Sequence, residues 1–140
     1  MENETQGVAP EPGEKGGMET IVVRVGTVTN SGDFRRSYRF RGRELVTVRT
    51  YQGAQGRDDR GKEYTLYAVR GGYRVLVWDW SRWQGEADQY YLASRNPEDS
   101  IAMNLKGDVL SAQEVANLCP AIWNEAVAKG LVEDVPEDLE

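Results

Sequence analysis

The residue types that most often carry chemistry are scarce in this chain. It contains no histidine, which removes the commonest general base, the usual nucleophile triad and most zinc sites. Cys119, the only cysteine, stands beside Pro120 among apolar residues without a metal-ligand companion, and reads as a small core residue. Gly53, Gly56 and Gly61 lack the Lys-Ser/Thr pair of a phosphate loop and do not match GxGxxG. Carboxylates are what remains. Asp58-Asp59 and Glu98-Asp99 are adjacent pairs that read as solvated charge, and Asp79, between Trp78 and Trp80, reads as an ion-pair partner of Arg74 or Arg82. No catalytic residue, metal site or cofactor is expected.

Two constellations suit binding instead. Alternation along Tyr73 to Trp83 puts Leu76, Trp78 and Trp80 on one side of a strand and Tyr73, Val75 and Val77 on the other. Trp83 and the Tyr90-Tyr91 pair can gather nearby. Such a cluster is either core or a hydrophobic contact surface, and Trp78, Trp80, Trp83 and Tyr90 are the expected partner-binding residues. The second constellation is basic. Arg35, Arg39, Arg41 and Arg43, with Arg24 and Arg49, alternate with Phe34, Tyr38, Phe40 and Tyr51, a pattern able to contact phosphates and stack bases. The competing reading is a solvated sheet face paired with acidic C-terminal residues.

These side chains must be positioned by strands. Ile21, Val23 and Val25 alternate with polar-side residues, and Asn30 to Asp33 is a turn cluster. Phe34 to Arg41 reads as a strand, Arg41-Gly42-Arg43 as a tight bend, and Leu45 to Tyr51 as the next strand. After a loop over Gln52 to Lys62, Glu63–Val69 and Tyr73–Trp80 form a hairpin through Arg70-Gly71-Gly72, and Asp88–Ser94 completes the set. The signal then turns helical. Ser111 and Glu114 have capping-box spacing, Pro120 opens a second helix through Ile122, Trp123, Ala126 and Val127, and Gly130 ends it. The expected class is therefore α+β: an antiparallel five- to six-strand meander with a C-terminal helical segment packed on one face.

A chain of 140 residues with 39% apolar content supports one core. Residues 1–17 are rich in Glu, Gly and Pro and are expected to be a disordered acidic leader. Residues 18–131 form the single domain and 132–140 an acidic tail. Apolar runs reach about four residues against the ~20 of a membrane helix, and no secretory signal is visible, so a cytoplasmic protein with no membrane partner is expected. Charge is segregated. Residues 1–19 carry a net −4, residues 20–83 a net +7 and residues 84–140 a net −9.

The run Glu19-Thr20-Ile21-Val22-Val23-Arg24-Val25-Gly26, followed by Tyr38-Arg39-Phe40-Arg41-Gly42-Arg43-Glu44-Leu45, resembles the core of the EXLDI proteins, a small and poorly characterised bacterial family. Glu63 to Tyr67, Arg70-Gly71-Gly72-Tyr73 and Trp78 to Trp83 continue in the family's order, so the likeness spans about residues 19–92. The family's C-terminal Glu-X-Leu-Asp-Ile signature meets Glu137-Asp138-Leu139-Glu140 here, with Glu for Asp and no Ile. The resemblance implies no enzyme activity. It implies a regulatory or antitoxin-like DNA role for members that begin with a ribbon-helix-helix-like element, whose place is taken here by the acidic leader.

The leading functional expectation is a non-enzymatic binding or regulatory protein that engages a protein partner through the tryptophan-bearing strand. A nucleic-acid-binding regulator using the arginine-rich sheet face is the alternative, and a small carboxylate-based enzyme using Asp79 or a loop carboxylate with Tyr or Arg is the third. Oligomeric state is not legible in the sequence.

Overall fold

The computed structural model describes residues 17–52, 59–83, 85–98, 105–136 and 138–139. The leader expected over 1–17 lies, apart from Gly17, outside the described residues, as do Asp58 and Asp99 of the two carboxylate pairs. Six strands come first: β1 (Glu19–Thr29), β2 (Gly32–Asp33), β3 (Arg36–Tyr51), β4 (Arg60–Val69), β5 (Gly72–Ser81) and β6 (Asp88–Leu92). Two helices follow, α1 (Ala112–Leu118) and α2 (Pro120–Ala128). All pairings between the strands are antiparallel, in the order β2-β1-β3-β4-β5-β6. The fold is thus the expected α+β meander with helices on one face.

The sheet also closes, which the strand pattern did not reveal. β1 pairs with β3 through Glu19–Val25 and with β6 through Gly26, Thr27 and Val28. Strands β1, β3, β4, β5 and β6 therefore form a five-stranded barrel. The change of partner falls at Gly26, whose φ is +134°. A Cβ there would lie 2.9 Å from both Arg35 Cα and the Phe34 carbonyl oxygen, so the closure needs glycine.

A second correction concerns Arg41-Gly42-Arg43. No reversal occurs there, because β3 runs through it unbroken for 16 residues. Gly42 is used for close approach, since a Cβ would meet the Ala68 carbonyl oxygen at 2.8 Å. Register then shifts between Glu44 and Val46. That bulge moves the apolar side of β3 from the barrel interior (Tyr38, Phe40) to the helix side (Val46, Val48).

Two apolar layers result. Val23, Val25, Tyr67, Val69 and Leu92 fill the barrel, with Ile21, Tyr38, Phe40 and Leu76 against them. On the outer side, Leu66, Ala68, Tyr73, Val75 and Val77 receive Val115, Ile122, Trp123 and Ala126 from the helices. β4 and β5 are thus buried on both sides, which explains their nearly continuous apolar sequence. The capping box is present: Glu114 N–H donates to Ser111 Oγ at 3.1 Å and Ser111 N–H to Glu114 Oε1 at 2.9 Å. Pro120 opens α2, and Gly130 (φ +72°) ends it with Leu131 N–H donating to the Ala126 carbonyl. Beyond it, Val132 and Val135 rest against the helix layer.

Gly26→Val should lower unfolding free energy by more than about 3 kcal/mol, combining backbone strain with a clash at the closure. Gly71→Ala is the control, because its φ of +85° has open space around it and costs about 1–2 kcal/mol. Urea denaturation of both variants checks this, and equal losses would mean that closure does not depend on Gly26.

Candidate functional site

At one end of the barrel the inward positions stop being aliphatic. The register sets Arg49 of β3 beside Glu63 of β4, Trp78 of β5, Tyr90 of β6 and Gly26 of β1 in a single row. The next inward positions form a second row, Tyr51, Gly61 and Trp80. Gly61 is the space in which the two rings of that row meet: a Cβ would lie 2.0 Å from the Thr50 carbonyl oxygen and 2.9 Å from the Trp80 ring.

These rows build a ladder of alternating rings and guanidinium groups. Arg35 Cζ lies 4.5 Å from the centroid of Tyr90. Tyr90 stacks on Trp78 with centroids 5.6 Å apart and planes at 4°. Arg49 Cζ sits 5.1 Å from the Trp78 ring and 5.5 Å from the Trp80 ring, and Arg82 lies 5.2 Å from Trp80. Tyr51 meets Trp80 edge-on at 5.8 Å. Each ring–cation contact contributes about 0.5–1 kcal/mol at exposed sites and more where desolvated.

Carboxylates hold the cations in place. Glu63 Oε1 accepts from Arg49 Nη2 at 2.7 Å and Nε at 3.1 Å, and this bond raises the Arg49 pKa. Asp33 takes a two-point contact from Arg35, Nε at 3.0 Å and Nη2 at 2.9 Å, and a third bond from Arg24 at 3.2 Å. The Arg35 bonds keep the Asp33 carboxyl well below the usual carboxylate range. Asp88 fixes the edge of Trp78, accepting its Nε1–H at 3.0 Å and the Ser81 N–H at 3.0 Å.

The four expected partner-binding residues therefore divide. Trp80 is 4% exposed and structural. Trp78 and Tyr90 are half-buried, each with a ring face covered by the other. Trp83, at 47%, is an exposed ring, as is Tyr51 at 52%. Of the four expected arginines, Arg35 belongs to this ladder. Arg39 and Arg41 lie on the outer side of β1 and β3, opposite Val22 and Thr20. Arg43 is opposite Ala68, with its Nε buried. The phenylalanine and tyrosine between them, Phe40 and Tyr38, face the barrel interior rather than standing beside the arginines.

Asp79 lies across from Lys62 on the other side of β5, with Oδ2 3.8 Å from Nζ and a side chain 48% exposed. The ion-pair reading of this residue thus holds with a different partner, Lys62 instead of Arg74 or Arg82. Among the described residues no group of three or more His, Cys, Asp and Glu is placed to hold a metal ion, and no helix is long and apolar enough to cross a membrane. Cys119 is buried, as expected of a core residue, and burial pushes its thiol up to about 11. Glu63 and Asp88 are the members that the strand pattern did not single out, and Arg49, expected with the basic set, is brought to Trp78 by the β3 bulge, which leaves no periodic trace.

Comparison with family models, curated proteins and solved structures finds no match for the chain.

Burial raises the phenols of Tyr67 and Tyr91 to about 12. The folded state therefore retains protons that the unfolded state releases near pH 10. Their contribution is complete below pH 10 and is lost as pH rises from 10 to 12. Chemical denaturation across that range should show falling stability, with a shallower fall in the Tyr67→Phe/Tyr91→Phe variant. An unchanged slope in that variant would contradict the assignment.

Proposed function

We propose that the protein is a non-catalytic binding module that engages a protein partner at the open end of the arginine–aromatic ladder. The observation that carries this reading is the exposed ring of Tyr51 against Trp80 at the end of the ladder, with the exposed Trp83 two residues beyond the end of β5. Rigid aromatic and arginine side chains make effective interface anchors because little conformational entropy is lost when they are covered. Two of the ladder's cations, Arg35 and Arg49, are matched by Asp33 and Glu63, and Arg60 nearby is matched by Glu86, so the surface suits a mixed polar and apolar partner better than a polyanion. In this reading Trp78, Trp80 and Tyr90 are the base, and Trp83 and Tyr51 make the contact.

The nucleic-acid reading keeps one specific support. Arg39 and Arg41 form no ion pair with a carboxylate among the described residues. With Tyr38 and Phe40 turned inward, that face offers phosphate contacts without stacking rings, so binding there would be weak in sequence preference and steep in salt. The proposed relation to the EXLDI proteins is compatible with either reading, because its quoted residues fall on β1, β3, β4 and β5, the strands that carry both surfaces.

A photo-crosslinking residue placed at 51, 83 or 39 in living cells tests the choice. Discrete protein adducts from 51 and 83, lost on Arg49→Ala, are expected. Adducts from 39 alone that vanish with nuclease would replace this reading with the nucleic-acid one. Separately, Trp83→Ala should leave the unfolding midpoint within a degree or two, whereas Trp80→Ala should cost about 3–5 kcal/mol.

A further inference from the structure

The opposite end of the barrel carries charge of a different kind. A cleft of about 430 Å3 opens there between Met18, Phe40, Arg41, Val69, Arg70, Arg74 and Val109. Arg74 rises from β5 beside Tyr67. Its guanidinium lies 5.5 Å from the centroid of Phe40 and donates to the Lys106 carbonyl at 3.3 Å. It forms no ion pair with a carboxylate among the described residues. Asp108 is the acid that acts on it electrostatically, yet one oxygen of Asp108 is taken by the Arg95 N–H at 2.9 Å. Desolvation is the larger influence and lowers the Arg74 pKa, outweighing the opposing attraction of Asp108. Arg41 adds a second cation at the rim, anchored through Nη2 to the Met18 carbonyl at 3.1 Å. Arg70 lines the same cleft.

A half-buried guanidinium normally has a carboxylate partner. Here Arg74 and Arg41, neither in an ion pair with a carboxylate among the described residues, line a cleft whose apolar wall is Phe40, Val69, Val109 and Met18. The volume is that of a small-molecule site. We propose that this cleft binds a small phosphate monoester with an aromatic or aliphatic body, its phosphate between Arg74 and Arg41 and its body against Phe40, Val69 and Val109. A dianion matches two guanidinium groups in charge, and the planar fork of arginine fits phosphate oxygens at two points. The site is separate from the Tyr51–Trp83 surface and does not depend on the reading given to that surface.

Phenyl phosphate, inorganic phosphate and benzoate, each titrated into the full chain labelled with nitrogen-15, provide the test. Phenyl phosphate should bind saturably and shift the amides of Val69 and Val109, at least about tenfold more tightly than inorganic phosphate or benzoate. Arg74→Gln should weaken it about tenfold or more, as expected for loss of a charged hydrogen bond, and Arg39→Gln, outside the cleft, should not. Should Arg74→Gln fail to fold, Arg41→Gln at the exposed rim carries the same expectation. Binding that survives both cleft substitutions, equal binding of benzoate, or no saturable shift at millimolar phenyl phosphate would overturn the proposal.

Discussion

Three residue pairs between β1 and β6 set the constraint on which the rest of this structure depends. Gly26, Thr27 and Val28 meet Tyr90, Gln89 and Asp88, reinforced by a Thr27–Gln89 side-chain hydrogen bond of 2.7 Å. Without them the sheet would be open, with β1 and β6 as exposed edges. With them, one side of every strand points into a closed interior. An interior this narrow fills with side chains, so any surface site must form at the ends of the barrel or on its outside. The ladder and the basic cleft lie at its two ends for that reason.

The helices solve the complementary problem. A barrel with an apolar outer side on β4 and β5 cannot remain uncovered, and α1 and α2 supply Val115, Ile122 and Trp123 to cover it. Trp123 is 2% exposed and meets Tyr73 edge-on at 5.5 Å. Because β4 and β5 are held from both sides, they form a rigid support for Trp78 and Trp80. The cations of the ladder are arranged around rings seated on strands that are packed from both sides.

The charge asymmetry of the chain takes on a spatial meaning here. The net +7 of residues 20–83 is not spread evenly. At the ladder end, arginines are matched by Asp33, Glu63 and Glu86. On the outer β1–β3 face and at the cleft, Arg39, Arg41 and Arg74 form no ion pair with a carboxylate among the described residues. Among the described residues the acidic segment 84–140 reaches the basic strands through Glu86, which pairs with Arg60, while its Glu114 pairs with Arg95 within the same segment.

Local physics made much of this readable from the chain alone. Period-two alternation marks β1, the double-sided apolar pattern of β5 identifies a central strand, and Ser111, Glu114, Pro120 and Gly130 delimit the helices, because each rests on hydrogen bonds or sterics within a few residues. The joining of Arg35 and Arg49 to the Trp78–Tyr90 pair could not be read that way. It needs a one-residue bulge between Glu44 and Val46, which flips the faces of β3, and a closure that brings Tyr90 beside Gly26, 64 positions earlier. Those are decisions about register between strands distant in the chain, and alternation, which is unchanged whichever neighbour a strand pairs with, carries no information about them.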